Sequence, residues 1–167
     1  MTGTEAVAAN APAASAALPV DPAERELVLE EIAAVAGAVH EPRARALYAE
    51  LAAAVAGGEV APALIAALQR VLEMSLATGR ARRLHGAQHE AAMLRLFFRT
   101  PAGAALRRSA AAATEALAAL AGQRLGALAV SAQAPGVFRL QLDTNRCQVT
   151  LEVSRDGVEV TALGIEL

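Results

Sequence analysis

Two histidines four residues apart, His85 and His89, with Glu90 directly after the second, have the spacing of a metal site. On an unbroken helix positions i and i+4 share a face, so both imidazoles could reach one zinc or nickel ion. Gly86 stands between them where a helix would start, and the order differs from the zinc-hydrolase helix, in which the Glu directly follows the first His. Two imidazoles make half a site, and no cysteine cluster supplies the rest. The competing reading is a pair of surface or capping histidines beside an arginine-rich turn.

That turn belongs to the strongest local anomaly in charge. From Arg80 to Arg108, seven arginines (Arg80, Arg82, Arg83, Arg95, Arg99, Arg107 and Arg108) face only Glu90. Arg95 and Arg99 are expected on one helix face, with Arg80, Arg82 and Arg83 on a connector that approaches the same side. Such a cluster could neutralise phosphates. No aromatic interleaves it for base stacking, however, and no base-reading Asn/Gln pattern accompanies it. The segment from Asp21 to Glu31 is acidic, so the arginines could equally meet the first helix, within one chain or between chains.

Other chemistry is missing from the pattern. There is no glycine-rich phosphate loop, no nucleophile elbow around a serine, and no carboxylate pair in surroundings that would split two pKa values. Cys147, the single cysteine, reads as a small apolar strand residue. No catalytic residue and no cofactor are assigned, and an enzyme is not the expected class.

These residues must be held by elements that the apolar periodicity outlines. Asp21-Pro22 opens a helix carrying Val28, Ile32, Val35 and Val39 at helical spacing. Glu41-Pro42 starts a second, with Leu47, Leu51 and Val55, which Gly57-Gly58 stops. A third runs from Pro62 to Gly79 on Leu64/Ile65, Leu68 and Val71/Leu72. Ala87–Arg99 forms a fourth, and Thr100-Pro101 starts a long helix to about Ala121 whose stripe is Leu106, Ala113, Leu117 and Leu120. From Leu125 the period changes to two. Leu128, Val130 and Ala132, then Phe138, Leu140 and Leu142, then Cys147, Val149, Leu151 and Val153, then Val158 and Val160 alternate with polar or small residues. A phase slip at Leu163 and Ile165 predicts a bulge near Ala162 or the end of pairing. Pairing of Leu142 with Cys147 would set Phe138 opposite Leu151.

The expected class is α+β: an N-terminal helical bundle, then a long helix packed on a C-terminal four-stranded antiparallel β-meander, with Phe138, Leu140 and Leu151 between helix and sheet. The chain divides into a flexible Ala-rich arm over 1–20, a helical bundle over 21–79, an Arg-rich connector and helix over 80–100, and the helix with its sheet over 101–167.

Composition bounds the rest. The 167 residues are 55% hydrophobic, but about a quarter are alanine, and aromatics make up only 2%, so the residues that usually anchor ligand pockets are scarce. Fifteen basic residues, all arginine, against seventeen acids leave a net charge of −2, which excludes a global field for nucleic acid or anionic membranes. Ala110–Ala121 is interrupted by Thr114 and Glu115 and is too short to span a bilayer. Met1–Val20 has no basic leader region, so the cytoplasm is the expected compartment. The function expected by subtraction is a non-catalytic protein-interaction or assembly module that self-associates, its partner another protein, itself or both. The runner-up is a nucleic-acid-binding or regulatory protein using the Arg80–Arg108 cluster, and the third is a metal-binding protein through His85 and His89.

Overall fold

The computed structural model describes residues 16–165, so most of the arm expected over 1–20 lies outside the described residues. The chain is α+β, as the periodicity predicts, and divides into two compact units between Met93 and Leu94.

In the first unit, α1 (Pro22–Ala38), α2 (Pro42–Gly57) and α3 (Pro62–Thr78) pack against one another. Each opens on a proline, whose missing N–H costs nothing in a first turn. The Glu24 carboxylate accepts from the Asp21 backbone N–H at 3.1 Å, which fixes the start of α1. Val28, Ile32, Leu51, Val55, Leu68, Val71 and Leu72 form the core, each no more than 1% exposed. Residues 18–20, expected as part of the arm, are packed in this unit. Leu18–Pro19 (β1) pairs antiparallel with Glu59–Val60 (β2), and Leu18, Val20 and Val60 are buried. The Val20 N–H donates to the Gly58 carbonyl at 2.8 Å, and Arg25 Nε donates to the Val20 carbonyl. The sequence offers two residues of pairing here, too few for alternation to register. Gly58 ends α2 at φ 87°, and a Cβ there would strike the Arg25 guanidinium.

The stretch expected as a connector is helical: α4 (Arg80–His85) and α5 (Ala87–Phe97) meet at Gly86. α5 stops two residues short of Arg99, because Thr100 before Pro101 is held in the extended region.

In the second unit, Thr100 caps α6 (Pro101–Leu117), which a short 3₁₀ turn (Ala118–Leu120) extends. The fully buried Thr100 hydroxyl donates to the Phe97 carbonyl at 2.7 Å and accepts the Gly103 N–H at 3.2 Å. This fold-back brings α6 so close to the preceding chain that a Cβ on Gly103 would collide with the Phe97 carbonyl. Then β3 (Leu125–Ala134), β4 (Val137–Thr144), β5 (Cys147–Ser154) and β6 (Gly157–Ile165) form a meander in chain order.

Leu142 faces Val149 and Leu140 faces Leu151, a register two residues away from the expected one. The strands run closer to their turn: only Asn145 and Arg146 separate Thr144 from Cys147, and the Thr144 hydroxyl accepts the Cys147 N–H at 3.0 Å. A shift of two keeps every side chain on its predicted face. The bulge falls where the phase slip puts it, since Thr150 faces Ala162 while Leu151 faces Val160.

The apolar face is covered unevenly. α6 packs on β6, where the Val158 N–H approaches Ser109 Oγ at 3.4 Å, and Cys147, Val149 and Leu151 are buried. Phe138, expected in the same layer, is 45% exposed, and Leu140 is half-buried. The reason is width: a helix about 10 Å across cannot cover four strands spaced about 4.8 Å apart. Leu151→Ala is therefore expected to cost about 2–4 kcal/mol, whereas Phe138→Ala stays within about 1 kcal/mol. Urea unfolding of the two variants checks this, and equal losses would place Phe138 in the core after all.

Candidate functional site

Gly86 separates the two candidate metal ligands. With φ 85° it ends α4 at His85 and restarts the helix as α5, so His85 and His89 do not share one continuous helix. Their ring centroids are 5.2 Å apart and tilted by 41°. His85 Nε2 lies 2.9 Å from Glu30 Oε2 on α1, and Glu90 lies 3.8 Å from Arg82. His89 Nδ1 is buried without a hydrogen-bond partner. Among the described residues no group of three or more metal-ligating side chains comes together.

The arginine run is divided between the two units. Arg80, Arg82 and Arg83 sit on α4 in the first unit, and Arg95 and Arg99 belong to the second. Arg99 lies in the turn after α5, so Arg95 and Arg99 do not share a helix face as expected. Arg80 Nε lies 3.2 Å from Glu31 Oε2, which joins α4 to the acidic first helix. In the second unit the Arg107 guanidinium stands 5.7 Å over the Phe98 ring.

Glu31 is the notable carboxylate. Its side chain is 4% exposed and only one of its oxygens meets Arg80; the other, Oε1, is buried with no hydrogen-bond partner. A buried carboxylate held by one cation is sensitive to losing it. Cys147, also buried, is the first residue of β5 and lies beside the Thr144 hydroxyl at 3.4 Å.

The surface that sequence reasoning missed is half of the sheet's apolar face. Every residue of β3 is exposed. Leu128 faces Leu142, Val130 faces Leu140 and Ala132 faces Phe138, so all six side chains lie on the face that α6 occupies farther along. Leu128 is 56% exposed and Val130 61%, which leaves large aliphatic groups in water on an edge strand. The strand itself (LGALAVSAQA) has no charge and no proline, the devices that usually protect an edge. The uncharged run is visible in the sequence, but which strands the helix leaves uncovered is not.

Comparison with family models, curated proteins and solved structures finds no match to this chain.

Arg80→Ala is expected to lower stability by about 1–3 kcal/mol through the stranded Glu31 carboxylate. Replacing both Arg80 and Glu31 by Met should restore most of it. Urea unfolding at neutral pH reads both effects, and a silent Arg80→Ala would show that Glu31 does not depend on that cation.

Proposed function

We propose that the chain is a non-catalytic protein-interaction module of the cytoplasm whose docking surface is the uncovered β3–β4 half of the sheet. The observation that carries this reading is the exposure of Leu128, Val130 and Phe138 on one contiguous face, the first two on an uncharged edge strand. Scattered surface leucines need no explanation, but aligned apolar side chains on adjacent strands mark contact sites. No helix among the described residues is long and apolar enough to cross a membrane.

The nucleic-acid reading has less behind it. Arg80 and Arg82 are engaged by Glu31 and Glu90, and the remaining arginines are divided between two units. A metal-binding role would need ligands beyond His85 and His89.

Cysteine accessibility inside intact cells tests the docking face. Val130→Cys lies on the apolar face and Ala129→Cys on the opposite face of the same strand; native Cys147 is buried. With a membrane-permeant maleimide and mass-spectrometric readout, position 130 should label several-fold more slowly than 129 in cells and equally fast in dilute purified protein. Equal rates at both positions in cells would overturn the reading.

A further inference from the structure

We propose that the first unit holds a binding site for a free aliphatic α-amino acid, in the cleft bordered by α1, α3 and α4. The site lies apart from the sheet face of the second unit and does not depend on the docking reading above.

The cleft has a volume of about 320 Å³, at the small end of the range for ligand sites. Ala34, Val35 and Ala38 of α1 and Met74 of α3 give it an apolar wall, and Met74 is 52% exposed. Such a wall suits an aliphatic group of a few carbons.

Glu31, Arg80 and Arg83 line the same cleft. The Glu31 side chain is 4% exposed; Oε2 lies 3.2 Å from Arg80 Nε, and Oε1 is buried without a partner. Buried polar atoms are almost always hydrogen-bonded, so this oxygen calls for a donor, and a cationic donor suits a carboxylate best. The hydroxyls that line the cleft are committed elsewhere. Ser75 donates to Met93 Sδ at 3.7 Å, and Thr78 donates to the Met74 carbonyl at 2.7 Å.

Arg83 has the opposite need. It is exposed, one turn along α4 from Arg80, and among the described residues no carboxylate lies within ion-pair distance of it. Its guanidinium and the terminal nitrogens of Arg80 offer donors to a second anion.

A ligand that answers both needs carries an ammonium and a carboxylate close together on an apolar body. In a free α-amino acid the ammonium nitrogen and the carboxylate carbon are about 2.5 Å apart across one carbon. The ammonium meets Glu31, the carboxylate meets Arg83 and Arg80, and the aliphatic side chain lies on the apolar wall. A peptide carries only one of these charges at either end, and a fatty acid or a simple amine answers one need alone.

Calorimetric titration of the full chain with L-leucine, isocaproate and isoamylamine tests the assignment, since each analogue lacks one charge of leucine. Leucine should bind one site per chain, at least about tenfold more tightly than either analogue. Arg83→Ala, at an exposed position, should weaken leucine at least about tenfold and leave isoamylamine unchanged. Glu31→Gln should weaken leucine by a similar factor and leave isocaproate bound no more weakly. Circular dichroism checks that both variants fold; if Glu31→Gln does not, Arg83→Ala and the two analogues still decide. No heat with L-leucine or L-valine up to about 10 mM would overturn the site. Binding of isocaproate or isoamylamine as tight as that of leucine would reduce it to a site for one charge and overturn the amino-acid assignment. Leucine binding indifferent to Arg83→Ala would put the ligand elsewhere and overturn it as well. None of these outcomes bears on the labelling of position 130, which tests the docking face by itself.

Discussion

A helix is about 10 Å across, and four hydrogen-bonded strands span about 15 Å or more. That mismatch governs the second unit. A one-sided meander has an apolar face along its whole width, and a single helix can shield only part of it. Here α6 is committed to the β6 side, where Ser109 comes up against Gly157 and Val158. The consequence is a gradient from β5 to the β3 edge: Val149 and Leu151 on β5 are buried, Leu140 and Leu142 on β4 are half-buried, and Leu128 and Val130 on β3 are exposed. Stability is thereby assigned to the β5–β6 side of one continuous surface, and the β3–β4 side is the docking face we propose.

Where α6 begins is set by short-range chemistry. Thr100 is fully buried and its hydroxyl uses both its donor and its acceptor within three residues, on the Phe97 carbonyl and the Gly103 N–H. Gly103 permits the close approach that results. The first unit fixes its short helix α4 by charge instead, with Arg80 and His85 reaching adjacent carboxylates, Glu31 and Glu30, on α1. The acidic beginning of the chain and part of the basic run are thus partners within one unit.

Much of this was legible in the sequence. Proline-opened helices, glycine stops and the change of period at Leu125 mark the elements, and the phase slip near Ala162 marks the bulge, because each is a local effect of backbone conformation or side-chain alternation. What failed was non-local. The β4–β5 register depends on whether the turn takes two residues or more, and alternation alone does not distinguish shifts of two. β1 is too short to show a period, so Leu18 and Val20 read as arm. The end of α5 is a local exception: it is set by the adjacent Thr100-Pro101 and not by apolar spacing, which alone makes Arg95 and Arg99 helix neighbours. Most consequentially, Phe138 looked like core because an alternating pattern tells which face is apolar but not which strands the helix will cover.

One apolar face is half sealed by α6, and the half that α6 leaves open is the surface we propose for docking. Carbene footprinting of the chain at high dilution and in intact cells tests this most directly, since the label reports side-chain exposure without substitution. At high dilution Leu128, Val130 and Phe138 should label strongly while Val149 and Leu151 stay protected, and in cells the first three should lose their labelling with no change at the other two. Protection of Phe138 equal to that of Leu151 at high dilution, or labelling of Val130 as strong in cells as at high dilution, would contradict this reading.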